Sequence, residues 1–248
     1  MQHYRYIEIV PDKGGLLLWL NNPTKRNAIS TKVIAELTHF FSQSFDNYQF
    51  IMIAGRGDCF AAGADLSEMV SVSESEAVQI SRSLHLLLEQ MGRVSIPVIA
   101  AVHGYAIGGG FELALGADIV FAAQSAWFNL PEIGFSLIPG GGATQKWTNI
   151  VGRRSAFFQM LTSARISADE ALNVGFVQKI FPDEQFFDSV SNFVSSIFKP
   201  LTQQAVVALK NAVRAAGHSD GYTVEANAFS QLLANDAKPL IQKFLDRK

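Results

Sequence analysis

A single cysteine, Cys59, stands in this 248-residue chain, so no intramolecular disulfide and no cysteine-rich metal site can form. That scarcity points to a reducing, cytoplasmic setting. Histidine is sparse as well. His3, His39, His85, His103 and His218 are nowhere paired at the spacing of metal ligands, and no metal is expected. Charge of one sign is also lacking: the formal net charge of −2 gives no electrostatic case for nucleic acid or an anionic membrane. The longest apolar runs, around residues 16–20 and 96–102, have the length of strands and are too short to span a bilayer. The opening Met1-Gln2-His3-Tyr4-Arg5 carries no apolar h-region, so no signal peptide is expected. No phosphate-binding Gly-Lys-Ser/Thr ending occurs, which argues against a nucleotide site. The Gly-x-Ser-x-Gly spacing at Gly217–Gly221 falls between expected helices and not after a strand, which argues against a common serine hydrolase. What remains is a chain with 48% hydrophobic and 17% charged residues, enough apolar matter for a substantial core.

The pattern along the chain predicts an α/β protein. Tyr4–Val10 and Leu16–Leu20 read as a hairpin around Asp12-Lys13-Gly14-Gly15. A helix is expected from Ser30 or Thr31, with Val33, Ile34, Leu37, Phe40, Phe41 and Phe45 on one face. Phe50–Ala54, Pro97–Val102, Asp118–Ala122 and Val177–Phe181 read as strands. A helix carrying Ile80, Leu84, Leu87, Leu88 and Met91 follows the polar stretch 71–76. Ser167-Ala168-Asp169-Glu170 is a capping box, with Gly175 as the matching stop. From Asp183 onward three or four helices are expected, interrupted at Pro200, Gly217–Gly221 and Lys238-Pro239. The division expected is a core over 1–195 and a helical region over 196–248, whose apolar face needs a partner surface. No internal sequence repeat or flexible linker is visible.

Three segments put glycine and carboxylate where a packed core does not need them. Cys59-Phe60-Ala61-Ala62-Gly63-Ala64-Asp65-Leu66 leads from a strand into a short helix, leaving backbone N–H groups uncovered, or else is an ordinary tight turn. Val102–Glu112 runs from a buried strand through Gly108-Gly109-Gly110 into a helix whose dipole favours an oxyanion. Glu112 lies among Leu113, Ala114 and Leu115, so its carboxylate is expected to be desolvated and its pKa raised, as acid–base work at neutral pH requires. Glu132, behind Pro131, is again the lone charge in an apolar, glycine-rich stretch. His103 is read as making a structural hydrogen bond, and Cys59 as a small buried residue.

Together and in this order, these segments resemble the crotonase superfamily of enoyl-CoA hydratases and isomerases. The match is carried by Lys25-Arg26-Asn27-Ala28, Phe60–Leu66, Pro97–Leu113 and Pro131-Glu132, and extended by Ile138-Pro139-Gly140, Thr144-Gln145 and Ile166-Ser167-Ala168. The resemblance implies a spiral of ββα turns with a helical C-terminal region, assembled as a homotrimer or a dimer of trimers. It implies an oxyanion hole from the N–H groups of Ala64 and Gly109 that grips the carbonyl of an acyl-CoA thioester. Lys25, Arg26, Ala28, Ala62, Asp65, Leu66, Gly108 and Gly140 are then the implied coenzyme A and substrate contacts. Hydratases of the superfamily carry glutamates at both the Glu112 and Glu132 positions, so addition of water across the 2,3 double bond is the expected reaction. No cofactor beyond the coenzyme A of the substrate is implied.

The chain departs from the family pattern at Asn129, Ser136 and Ser163, where glycine is usual, and at Ala143 and Trp147. Asn129, Ser136, Ala143 and Trp147 line or support the acyl pocket and leave room for a polar acyl group, whereas the change at Ser163 reads as structural. Isomerase, racemase or dehydratase chemistry on such a substrate, and a non-catalytic member, are the competing readings. RNA binding is disfavoured because the helix expected from Thr31 carries Lys32 as its basic residue.

Overall fold

The computed structural model describes residues 4–246; Met1, Gln2 and the set-aside His3 lie outside the described residues, as do 247 and 248 at the end of the expected helical region. The chain opens with β1 (Ile7–Asp12) and β2 (Gly15–Leu20), joined by Lys13 and Gly14, both at positive φ, in the two-residue turn that suits strand twist. Helix α1 (Thr31–Phe41) follows, capped by Ser30, whose Oγ accepts the Val33 N–H. It buries Val33, Ile34, Leu37, Phe40 and Phe41, each worth about 1.5–3 kcal/mol out of water. Phe45 is buried as expected, but from the turn beyond the helix.

The rest of the core repeats one plan. A strand of the large sheet leads to a short second strand or bridge, then to helix. The first round is β3 (Ile51–Gly55), a bridge at Ala61, then α2 (Leu66–Met69) and α3 (Glu74–Arg93). The second is β4 (Val98–Val102), β5 (Tyr105–Ile107) and α4 (Gly109–Leu115). The third is β6 (Ile119–Ala123), β7 (Trp127–Asn129), a 3-10 turn (Glu132–Phe135), α5 (Ala143–Val151) and α6 (Arg153–Thr162). The ββα repetition is thus structural, with no sequence repeat beneath it. Then come β8 (Ile166–Ser167), α7 (Ala168–Asn173) with the expected capping box at Ser167, and β9 (Lys179–Phe181).

The large sheet runs β1-β2-β3-β4-β6-β9, parallel except for the β1–β2 hairpin, and the small sheet runs β5-β7-β8. Strands β3 and β4 are buried throughout, which explains their unbroken apolar reading. The small-sheet strands β5 and β7 escape the sequence pattern because three residues are too short to show alternation.

The chain closes with α8 (Phe186–Phe198), α9 (Gln203–Arg214), α10 (Gly221–Leu232) and α11 (Lys238–Leu245). The interruption expected at Lys238-Pro239 does not occur. A π turn over Leu233–Ala237 carries the helix into α11, and Pro239 falls in its first turn, where a missing N–H costs little.

Candidate active site

The site grows from the ends of β3, β4 and β6. Asn27, buried and at φ +54°, donates through Nδ2 to the carbonyls of Arg56, Cys59 and Phe60, and so pins the loop leaving β3. That loop reaches Gly63 at φ +94°. A methyl group there would stand 2.9 Å from the Ile107 carbonyl, so only glycine lets this turn close on β5. The closure brings the Ala64 and Gly109 nitrogens together: a Cβ placed on Gly109 would lie 3.7 Å from the Ala64 nitrogen. Gly109 opens α4, where an N–H has no intrahelical acceptor, and neither it nor the Ala64 N–H donates to any acceptor among the described residues. Two uncovered donors, one on a helix N-terminus, therefore face a common space.

Both glutamates face it too. Glu112 is 2% exposed in the first turn of α4, and its Oε1 accepts the N–H groups of Gly141 (2.7 Å) and Ala143 (3.0 Å). Burial pushes its pKa above the usual carboxylate range, and the Ala143 and Gly141 donors pull back against that rise. Glu132 begins the 3-10 turn behind Pro131. Its Oε2 is buried and has no hydrogen-bond partner among the described residues. Burial, with a further push from Glu112, raises its pKa to about 7. Gly108, at φ +50°, is what admits Glu132 to the hole, because a Cβ there would stand 2.8 Å from Oε1.

These groups line one cleft of about 620 Å³ whose remaining walls are largely apolar, among them Leu66, Met69, Ile80, Leu84 and Leu137. Of the residues singled out in the sequence, Ala62, Ala64, Leu66, Gly108, Gly109, Glu112, Glu132 and Gly140 share this cleft. Lys25, Arg26, Ala28 and Asp65 are not among its walls. Lys25 and Asp65 spend their charges on each other at 2.7 Å, and Asp65 caps α2 through Ser67. The Lys25 ammonium and the Ser67 donors hold Asp65 below the usual carboxylate range. Arg26 and the buried Ala28 sit on the turn behind Ala62, whose N–H donates to the Arg26 carbonyl.

His103 donates through Nε2 to the Gly57 carbonyl at 2.8 Å, the structural role expected of it. Cys59 is 1% exposed, and burial pushes its thiol pKa up. Trp127, Ser163 and Arg165 line the cleft without having been singled out as site residues in the sequence. Trp127 and Arg165 come from separate short strands, or from just outside one, and nothing local marks them.

Residues 13–248 match the profile of the family described as enoyl-CoA hydratase/isomerase. The chain belongs to that family. Among curated relatives, it is 34% identical over 238 residues to a mitochondrial enoyl-CoA hydratase of Pongo abelii, covering 94% of this chain and 81% of the relative. It is 32% identical over 255 residues to a crotonyl-CoA hydratase of Syntrophomonas wolfei, covering 99% of this chain and 96% of the relative. The solved enoyl-CoA hydratase of Bacillus anthracis superposes with a TM-score of 0.90 at 26% identity, over 98% of this chain and 97% of that one. The architecture is therefore the crotonase-type ββα spiral with C-terminal helices, and this enoyl-CoA hydratase/isomerase family member keeps a carboxylate at both Glu112 and Glu132.

Proposed function

We propose that the chain is an enoyl-CoA hydratase, a hydro-lyase adding water reversibly across the 2,3 double bond of an enoyl-CoA. The observation that carries this reading is that two carboxylates with differently supported charges share one cleft with two free N–H donors. The thioester oxygen lies between the Ala64 and Gly109 N–H groups, which strengthen their hold as charge builds on it; losing one such donor costs about 10²–10³ in rate. Glu112, whose anion the Gly141 and Ala143 N–H groups support, orients water and takes its proton as the oxygen bonds to C3. Glu132, with no donor at Oε2, holds a proton near neutral pH and gives it to C2. One proton is taken and one given, and the product is a 3-hydroxyacyl-CoA. Coenzyme A enters as part of the substrate, and no other cofactor takes part. Its moiety runs along Ala62 and Leu66, with Arg26 on the turn behind Ala62 as the candidate for its phosphates, since Lys25 is engaged by Asp65.

The reading extends to assembly and setting. Leu209, Val213, Tyr222, Phe229 and Phe244 expose large apolar surfaces on the C-terminal helices, which suits trimer contacts from the 196–248 region. Among the described residues no helix is long and apolar enough to cross a membrane, and a lone buried cysteine fits the cytoplasm.

The test is loss of the conjugated enoyl-thioester absorbance of crotonyl-CoA. Wild-type protein is expected to consume it, with Glu112→Gln and Glu132→Gln each slower by about 10²–10⁴. Binding of the thioester without any loss of absorbance would reject hydration.

A further inference from the structure

Arg165 stands at the cleft wall with a cation and no anion. Its guanidinium lies 4.1 Å from the centroid of the Trp127 ring, and it has no hydrogen-bond or ion-pair partner among the described residues. A guanidinium held over a ring by a cation–π contact still has N–H donors to offer, and a guanidinium edge suits bidentate capture of a carboxylate.

The small sheet says which end of the substrate would meet it. Ala61 bridges Ala106 of β5, Ile107 of β5 pairs with Asn129 of β7, and Phe128 of β7 pairs with Ile166 of β8. The row therefore runs from the oxyanion loop through β5 and β7 to the residue before β8, which is Arg165. Neighbouring strands lie roughly 5 Å apart, so Arg165 is rooted about 10 Å from the strand leading to Gly108. It also lies on the side away from Ala62, Lys25 and Arg26. Side chains paired across strands share a face, and on this face Ile107, Trp127, Asn129 and Arg165 all line the cleft. The wall is polar where an acyl chain leading away from the hole would end. Asn129 donates from Nδ2 to the carbonyls of Ser163 (2.7 Å) and Ala164 (3.1 Å), and Ser163 holds φ +51°, a conformation that a merely structural turn fills more easily with glycine.

We propose that Arg165, braced by Trp127, binds a carboxylate at the far end of the acyl chain, so that the substrates are 2-enoyl-CoA thioesters of short dicarboxylic acids. This rests on the hydratase reading and narrows it. Arg165 is a specificity residue and takes no part in proton transfer; the environment of Glu132 is set by burial and Glu112.

The experiment compares two six-carbon trans-2-enoyl-CoA esters, one ending in a carboxylate and one in a methyl group. The wild type is expected to favour the carboxylate ester by at least about tenfold in kcat/KM, and Arg165→Gln to lose that preference chiefly through KM. Trp127→Leu, which removes the brace and keeps the charge, is expected to lose part of it. Calorimetric binding of the two saturated six-carbon esters reads the same selection without turnover, so failure of hydration and failure of the proposal are separable. A preference unchanged by Arg165→Gln would overturn the proposal. So would an equal loss of affinity for both esters, which would assign Arg165 to the phosphates of coenzyme A or to the fold.

Discussion

Glu112 and Gly141 form a fixed pair: the carboxylate accepts the Gly141 N–H at 2.7 Å, tying α4 to the segment that enters α5. A Cβ on Gly141 would stand 2.6 Å from Oε2 of Glu112 and 2.3 Å from Cδ2 of Leu84, so a side chain there has to push both aside. The N–H that orients the base is thus supplied by a residue whose Cβ would press on that same carboxylate.

Gly141→Ala is accordingly expected to displace the carboxylate and cut kcat about 10²-fold, the usual effect of an ångström-scale misplacement, with a smaller change in KM. Gly134→Ala, where a Cβ meets nothing within 4 Å, serves as the comparison. Steady-state kinetics on crotonyl-CoA decides it. Equal rates in the two variants would mean that the Gly141 contact does not set the position of Glu112.

Reaction requires one proton on the glutamate pair before and after each turnover. The active form is the singly protonated pair, and its last proton leaves near the Glu132 pKa of about 7. Hydration kcat/KM should therefore fall about tenfold per unit as pH rises above that point. Because the overall equilibrium takes up no proton, dehydration of the 3-hydroxyacyl ester must show the same limb. A flat profile from pH 6 to about 9 would remove Glu132 from the proton-transfer role.

Much of this site is legible in the residues themselves. Glu112 is readable as a buried acid because its neighbours on the helix are apolar, and the two segments with uncovered N–H groups because small residues there follow strands and open helices. That the donors are those of Ala64 and Gly109 is what the resemblance to the family implies. Ser167 announces its helix through Glu170 three residues on. Other features depend on contacts between distant segments. Nothing near Lys25 shows that Asp65 will occupy it, and nothing near Trp127 shows that Arg165 will lie over its ring. The π turn before Pro239 is likewise a tertiary accommodation, which a local reading of proline as a break overlooks.

The raised pKa of Glu132 also has a cost in stability. Its folded value of about 7 exceeds the unfolded 4.5, so the native state binds the proton more tightly, and stability is lost as pH rises between those values. Glu132→Gln removes that ionisation. After allowance for its partial exposure, the variant should gain roughly 1 kcal/mol, or about 2–4 °C in Tm, at pH 8 relative to pH 5. Thermal unfolding at the two pH values measures this. A Tm difference that is the same at both would show that burial of Glu132 does not strain the fold.

Lys210 provides a separate test of how the C-terminal helices are held. Its ammonium, with a side chain 5% exposed, donates to Asp118 at 2.7 Å and to the Ile96 carbonyl at 2.9 Å, while Asp118 also accepts the Val98 N–H. Helix α9 is thereby bonded to the entry of β4 and the segment before β6. Replacing Lys210 with Met leaves a half-buried carboxylate and a carbonyl without their donor, a loss of about 2–4 kcal/mol. For a chain of this size that lowers Tm by roughly 5–15 °C. Crotonyl-CoA turnover at low temperature should change far less, since Lys210 is not among the cleft walls. A variant with unchanged Tm would show that α9 is held by its apolar contacts alone, with the buried ion pair adding nothing beyond what a methionine side chain supplies.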